Sequence, residues 1–282
     1  MTIKTSITAK FVAPVAVLFL LVMTMSSGVL FISFRSALDG ELEQRSYATT
    51  SLLREEFNSW LGPKYGILRA QVGEVQETYP DGDRLQRTFA RFLEGDREIM
   101  EVYFGDTVPY SRGGMMRLAT GTILPSSYDQ TGRGWYRDAA AGNDIVATAP
   151  YVDAGTGKLV ISLALKAVRD GELLGVAGVD IEATRLTEIA ASKKLSEGGV
   201  TYLVDGEGKY MTHADQAMIG TGPPFEGPLA GLGAELLSQD RYFRIHRAEG
   251  LYTAGIQVPA LKGTLITYGP LAALYGSLYA LP

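Results

Sequence analysis

The most one-sided stretch of the chain comes first. From Phe11 to Phe34 no residue is charged and most are apolar. At about 1.5 Å of rise per residue, such a run is long enough as a helix to cross a hydrocarbon layer of about 30 Å. A cleaved secretory leader has a shorter apolar core, about 7–15 residues, ending in a small-residue site of the Ala-x-Ala kind. No such site is clear here, so the pattern predicts an uncleaved transmembrane anchor over 11–34. Lys4 and Lys10 precede the run, whereas Arg35 is soon followed by Asp39, Glu41 and Glu43. The positive-inside rule then places residues 1–10 in the cytoplasm and everything after Phe34 outside it, in the periplasm of a cell with an inner membrane.

Beyond the anchor the apolar period becomes helical. Leu38, Leu42, Leu52, Leu53, Phe57 and Trp60 recur at helical spacing among charged neighbours, and the pattern resumes through Leu68, Val72 and Val75. This predicts a long stalk helix over 35–80, with a kink or break at Gly62-Pro63. A second helix is expected over Asp83–Leu93, with Leu85, Phe89 and Phe92 on one face.

The period then changes to strands, over Ile99–Phe104, Ile145–Pro150, Leu159–Val168 and Leu173–Ile181. A short helix or turn is expected over Gly132–Ala141, and glycine turns at Ala154–Gly157 and Asp170-Gly171. A connecting helix over Thr184–Leu195 leads to a second, smaller strand set. There Val200–Val204 and Lys209–Thr212 flank a hairpin-type turn at Asp205-Gly206-Glu207-Gly208. Arg241–His246, Tyr252–Val258 and Thr264–Tyr268 complete the set. The fold class is therefore α+β, with a membrane-distal module over 81–185 and a membrane-proximal one over 186–270. The segment 271–282 is too short to span a membrane. It is expected to be a truncated end, with a second transmembrane helix and any cytoplasmic output module lying outside this sequence.

Composition narrows the function. With 46% hydrophobic and 20% charged residues among 282, the chain has the make-up of folded protein. Lys and Arg number 26 against 31 Asp and Glu, so no basic footprint for nucleic acid is present. The absence of cysteine excludes a disulfide framework, a thiolate zinc site and a cysteine nucleophile. His213 and His246 are too few for most histidine metal sites. Asp205 and Glu207 lack the companions of a calcium loop, and neither a phosphate-loop glycine spacing nor Gly-x-Ser-x-Gly occurs. No cofactor, no metal and no catalysis are expected.

The densest polar and aromatic constellation runs from Tyr128 through Arg133, Trp135 and Tyr136, then Tyr151 and Asp153, and finally Asp180. Arg133 offers a planar fork of donors suited to a carboxylate, and Trp135 one N–H on a large apolar body. Asp153 and Asp180 suit an ammonium group. One arginine with two aspartates is complementary to a zwitterion, and tyrosines between them could close the walls. The same residues also admit a structural reading. Arg133 could pair with Asp129 or Asp138, Trp135 could be core, Asp153 could cap a turn, and Asp180 could cap a helix.

The stretch from Tyr128 to Asp180 resembles the double-Cache (dCache) sensor domain of bacterial methyl-accepting chemotaxis proteins, in particular its amino-acid-binding subset. That subset carries Tyr, Arg five residues on, Trp two further and Tyr next, then a Tyr-x-Asp and a later Asp. All seven positions are filled here, and a looser resemblance extends over about residues 11–270. The resemblance implies two tandem PAS-like antiparallel-sheet modules and a homodimer. It implies a ligand carboxylate held by Arg133 and Trp135 and an ammonium group served by Asp180, Tyr128 and Tyr151. Tyr136 and Asp153 would complete the pocket, with a side-chain wall around Tyr103, Met115, Met116 and Thr148. The expected ligand is a free L-amino acid and the expected output is chemotaxis. The sensor of a histidine kinase or of a cyclic-dinucleotide enzyme remains an alternative. A membrane-anchored hydrolase using Asp153 and Asp180 is a further one.

Overall fold

The computed structural model describes residues 7–153, 156–222 and 232–278. The chain divides into two units, residues 1–46 and 47–282. The turn residues Ala154 and Gly155 lie outside the described residues, as do 1–6, 223–231 and 279–282.

Helix α1 runs from Ile7 to Thr78, 72 residues. In the first unit its apolar side chains are exposed, among them Leu18, Phe19, Leu20 and Ile32. This part is long and apolar enough to cross a membrane. The helix is not broken at Gly62-Pro63. Proline has no N–H for the carbonyl four residues back, which is that of Ser59. Both Ser59 and Pro63 are exposed, so water can hydrate the orphaned carbonyl while the opposite face keeps its packing.

That opposite face carries the core of the second unit. Phe57, Leu61, Leu68 and Val75 are fully buried. They share one apolar cluster with Leu85 and Phe89 of α2 (Gly82–Gly95) and with residues of both sheets described below. The Asp81 side chain accepts from the Arg84 amide and starts α2. Lys64 is buried too. Its ammonium lies 3.1 Å from Asp96 and 2.8 Å from Glu98 and sits over the Trp60 ring, so the one cation inside this helix face is paired on both sides.

The first sheet is antiparallel, in the order β2-β1-β6-β5-β3, with β4 also pairing with β5. Its strands are β1 (Ile99–Asp106), β2 (Met116–Leu118), β3 (Val146–Ala147), β4 (Tyr151–Val152), β5 (Leu159–Arg169) and β6 (Glu172–Glu182). Helix α3 (Gly134–Ala141) covers the face turned away from α1. The β5–β6 hairpin closes at Asp170 and Gly171, with φ of 55° and 83°. Two positive φ values in succession give the turn whose twist suits a hairpin, and they explain the Asp-Gly pair. The strand expected over Ile145–Pro150 is only the two-residue β3.

Helix α4 (Thr184–Ala191) leads to the second sheet, order β7-β10-β9-β8. Its strands are β7 (Val200–Val204), β8 (Arg241–His246), β9 (Leu251–Val258) and β10 (Gly263–Pro270), with α5 (Gly233–Ser238) between β7 and β8. The hairpin expected after β7 shrinks to one bridge, Val204 to Tyr210. Asp205 accepts from the Glu207 and Lys209 amides, and the Leu203 amide donates to the Thr212 hydroxyl, so side chains take over part of the ladder that a second strand would have made, beside backbone bonds such as Met211 N–H to the Leu203 carbonyl. The run after Lys262 is β10 followed by a short helix, α6 (Leu271–Ser277), which buries Leu271 and Leu274.

Candidate ligand-binding site

Alternation along the first sheet separates two environments. On β1, Val102 and Phe104 face the cluster shared with α1, while Tyr103 faces the side of α3. On β6, Ala177, Val179 and Ile181 face the α1 cluster. Gly178 and Asp180 between them lie on the other face. Register then brings residues distant in sequence together. Glu101 and Ser162 are the cross-strand partners of Asp180, and Tyr103 and Ala164 those of Gly178. Gly178 is what lets the Tyr103 ring lie flat across β6: a Cβ there would come within 2.4 Å of the ring.

Asp180 is consequently buried among hydroxyls. Tyr103 Oη lies 2.8 Å from Asp180 Oδ1 and 2.9 Å from Ser162 Oγ. Ser162 also donates to Asp180, and its Oγ is 2.7 Å from Tyr151 Oη. Burial pushes the Asp180 carboxyl up to about 7, against the opposing pull of the Ser162 and Tyr103 hydrogen bonds. The hydroxyls of Tyr103, Tyr128 and Tyr151 are raised as well, chiefly by burial, so all three stay protonated donors at neutral pH.

Arg133 stands at the N-terminus of α3, its backbone extended and its carbonyl accepting from the Arg137 amide. Its guanidinium lies 6.0 Å from the Tyr128 ring centroid and 5.9 Å from that of Tyr151. Aromatic faces hold a guanidinium without neutralising it. No carboxylate among the described residues forms an ion pair with Arg133; the pairs with Asp129 or Asp138 that the sequence also allowed are not made. Asp129 instead accepts from the Thr131 and Gly132 amides. Trp135, buried, packs edge-on against Tyr103 at 5.0 Å between centroids.

Six of the seven residues singled out in the sequence line one cavity: Tyr128, Arg133, Trp135, Tyr151, Asp153 and Asp180. Tyr136 does not. Its hydroxyl donates to the Asp106 carbonyl at 2.9 Å and its ring packs against Trp135. Asp153 has a double position, lining the cavity while accepting from the Thr156 amide and hydroxyl of its own turn. Asp180 caps no helix; α4 begins after Ala183. Of the four wall residues expected, Tyr103 and Met116 line the cavity. Met115 packs against the core on the α1 side, and Thr148 lines a separate groove, its hydroxyl accepting from the Ser162 amide. Glu101, Leu118, Thr122 and Leu124 line the cavity without having been singled out, and Ser162 lies behind Asp180. For Glu101 and Ser162 the signal is the register with Asp180.

An antiparallel sheet backed by a long helix, with a polar and aromatic cavity on its other face, defines a sensor-type α+β domain of the Cache class. The chain belongs to the dCache_1 family, Cache domain, which matches residues 33–265. Among curated proteins it is similar to the methyl-accepting chemotaxis protein PscA of Pseudomonas syringae pv. tomato. The two are 30% identical over 187 residues, covering 66% of this chain and 28% of that protein, so the chain spans less than a third of that relative's length. Among solved structures it is similar to the ligand-binding domain of the Pseudomonas fluorescens chemoreceptor CtaA in complex with L-leucine. The TM-score is 0.65 at 18% identity, with 86% of this chain and 99% of that one covered. The ligand-binding domain of the Pseudomonas aeruginosa PAO1 amino acid chemoreceptor PctB in complex with L-Arg aligns with a TM-score of 0.63 at 19% identity, covering 88% of this chain and 99% of that one. At these identities the solved structures speak for the fold.

Proposed function

We propose that this chain is the extracytoplasmic sensor of a transmembrane chemoreceptor and that it binds a free L-amino acid in the cavity of its first sheet. The observation that carries the reading is a cavity presenting, together, a guanidinium with no carboxylate partner among the described residues and a buried carboxyl hydrogen-bonded by the Tyr103 and Ser162 hydroxyls. Arg133, with the Trp135 indole beside it, takes the ligand carboxylate. Asp180 takes the ammonium group, assisted by Tyr128 and Tyr151, while Asp153 borders it. Tyr136 acts beneath the cavity, by fixing Trp135. In this reading the role is binding.

In this reading residues 1–10 are cytoplasmic and 11–34 span the inner membrane. Residues 35–80 form the stalk of a homodimer. Residues 81–185 and 186–270 are tandem PAS-like modules, the first holding the ligand, and 271–282 lead on from the second. Ligand binding biases the long helix against its partner, and a chemotaxis output reads that bias; the shift can be no larger than the ligand's differential affinity for the two states.

A thermal-shift screen of residues 35–270 tests the binding step. Free L-amino acids should raise the melting temperature, and decarboxylated amines and deaminated acids should do so far less. At 100 times Kd a ligand contributes about 2.7 kcal/mol. A response to purines, sugars or simple dicarboxylates with none to amino acids overturns the reading.

A further inference from the structure

Charge in the cavity does not balance around a neutral amino acid. Glu101, Asp153 and Asp180 face it, and Arg133 is the one cation among its lining residues. A zwitterion brings one charge of each sign and leaves the excess of carboxylates as it was. Glu101 lines the cavity together with Leu118, Thr122 and Leu124 and is the cross-strand neighbour of Asp180 on the β1–β6 pair. Its carboxylate is fixed in place. Oε1 accepts from the Val102 and Thr120 amides at 3.1 and 3.2 Å, and Oε2 from the Thr120 hydroxyl, which is 2.7 Å from that of Thr122. A carboxylate has about four lone-pair sites, so Oε2 keeps one for a ligand. Burial raises the Glu101 carboxyl above its usual range, which marks a charge short of solvation.

We propose that Glu101 is a specificity-determining residue that selects L-amino acids with a cationic side chain. This rests on the amino-acid reading of the same cavity and extends it to the ligand's far end. With the α-carboxylate on Arg133 and the α-ammonium on Asp180, the side chain runs past Leu118 and Leu124, which cover its methylenes. A terminal ammonium or guanidinium then meets Oε2 of Glu101. Amino acids with an acidic side chain are repelled by the same group.

Calorimetric titration of the purified chain with matched ligand pairs tests this without altering the protein. L-lysine is compared with L-norleucine, and L-arginine with L-citrulline, pairs of similar shape that differ in the terminal charge. The charged member should bind about tenfold tighter or more, as expected for a hydrogen bond to a charged group. Glu101→Gln should erase that difference, with the loss falling on L-lysine and L-arginine relative to their neutral partners. Equal or tighter binding of the neutral members by the unaltered chain overturns the inference while leaving the amino-acid reading intact. So does a uniform loss for all four ligands in Glu101→Gln. Silence toward every L-amino acid overturns the amino-acid reading and this inference with it.

Discussion

Asp180 sets how the cavity responds to pH. In the proposed complex the ligand's ammonium group binds the ionised carboxylate, and burial holds that carboxyl up to about 7 when the cavity is empty. Affinity should therefore rise from pH 6 to pH 8 and level off above, with a proton released on binding near pH 7. Titrations in buffers of different ionisation enthalpy measure that proton. Stability of the ligand-free protein should move the other way. The unfolded value is about 3.9, so the folded chain holds the proton more tightly, and the advantage is lost as pH rises through the folded value. Asp180→Asn should raise the ligand-free melting temperature at pH 8 by a few degrees, at roughly 2–4 °C per kcal/mol for a domain of this size, and weaken binding. Arg133→Ala should leave melting nearly unchanged, because no ion pair among the described residues is lost. In binding it removes one member of a charge pair, worth about 2–5 kcal/mol, or roughly thirtyfold to several thousandfold. Wild-type affinity in that variant, read by calorimetry, would end the amino-acid reading.

At the scale of elements, β6 is the most exacting strand, because Gly178 must carry no side chain. Gly178→Ala should force the Tyr103 ring off β6. It should destabilise the domain by about 1–3 kcal/mol, the usual cost of overpacking, and also weaken ligand binding, since Tyr103 orients Asp180. Denaturant unfolding and titration of the same sample measure both, and a destabilised variant with wild-type affinity would detach Tyr103 from the site. These dependences mark the limit of what the sequence discloses. The strands β1, β5, β6, β9 and β10 were legible, because alternation and turn residues are local properties. The Arg133-to-Asp180 constellation was legible as a spacing of unusual residue types. Glu101 and Ser162 were not, because their nearness to Asp180 is a matter of register: Ser162 is 18 residues away in sequence and Glu101 is on another strand, β1. Gly62-Pro63 does not break α1, because the burial of Phe57, Leu61 and Leu68 outweighs one missing hydrogen bond on a wet face. The Lys209–Thr212 strand failed because Asp205 and Thr212 satisfy the backbone locally.

For the whole molecule the first consequence is location. The apolar stretch of α1 should hold the chain in the membrane fraction through carbonate extraction. A reporter fused after Pro282 should be active in the periplasm and silent in the cytoplasm. A soluble mature chain beginning near residue 30 would remove the anchor. The second consequence lies in the pleat of the first sheet. Val102 and Phe104 of β1 and Ala177, Val179 and Ile181 of β6 are held by packing against α1, and Glu101, Tyr103 and Asp180 between and beside them look into the cavity. The strands thus spell two messages in alternating letters, one addressed to the helix and one to the solute. A lineage can rewrite the second, letter by letter, without touching the first. Relatives built on this sheet can therefore alter what the cavity admits while keeping the packing that holds its frame.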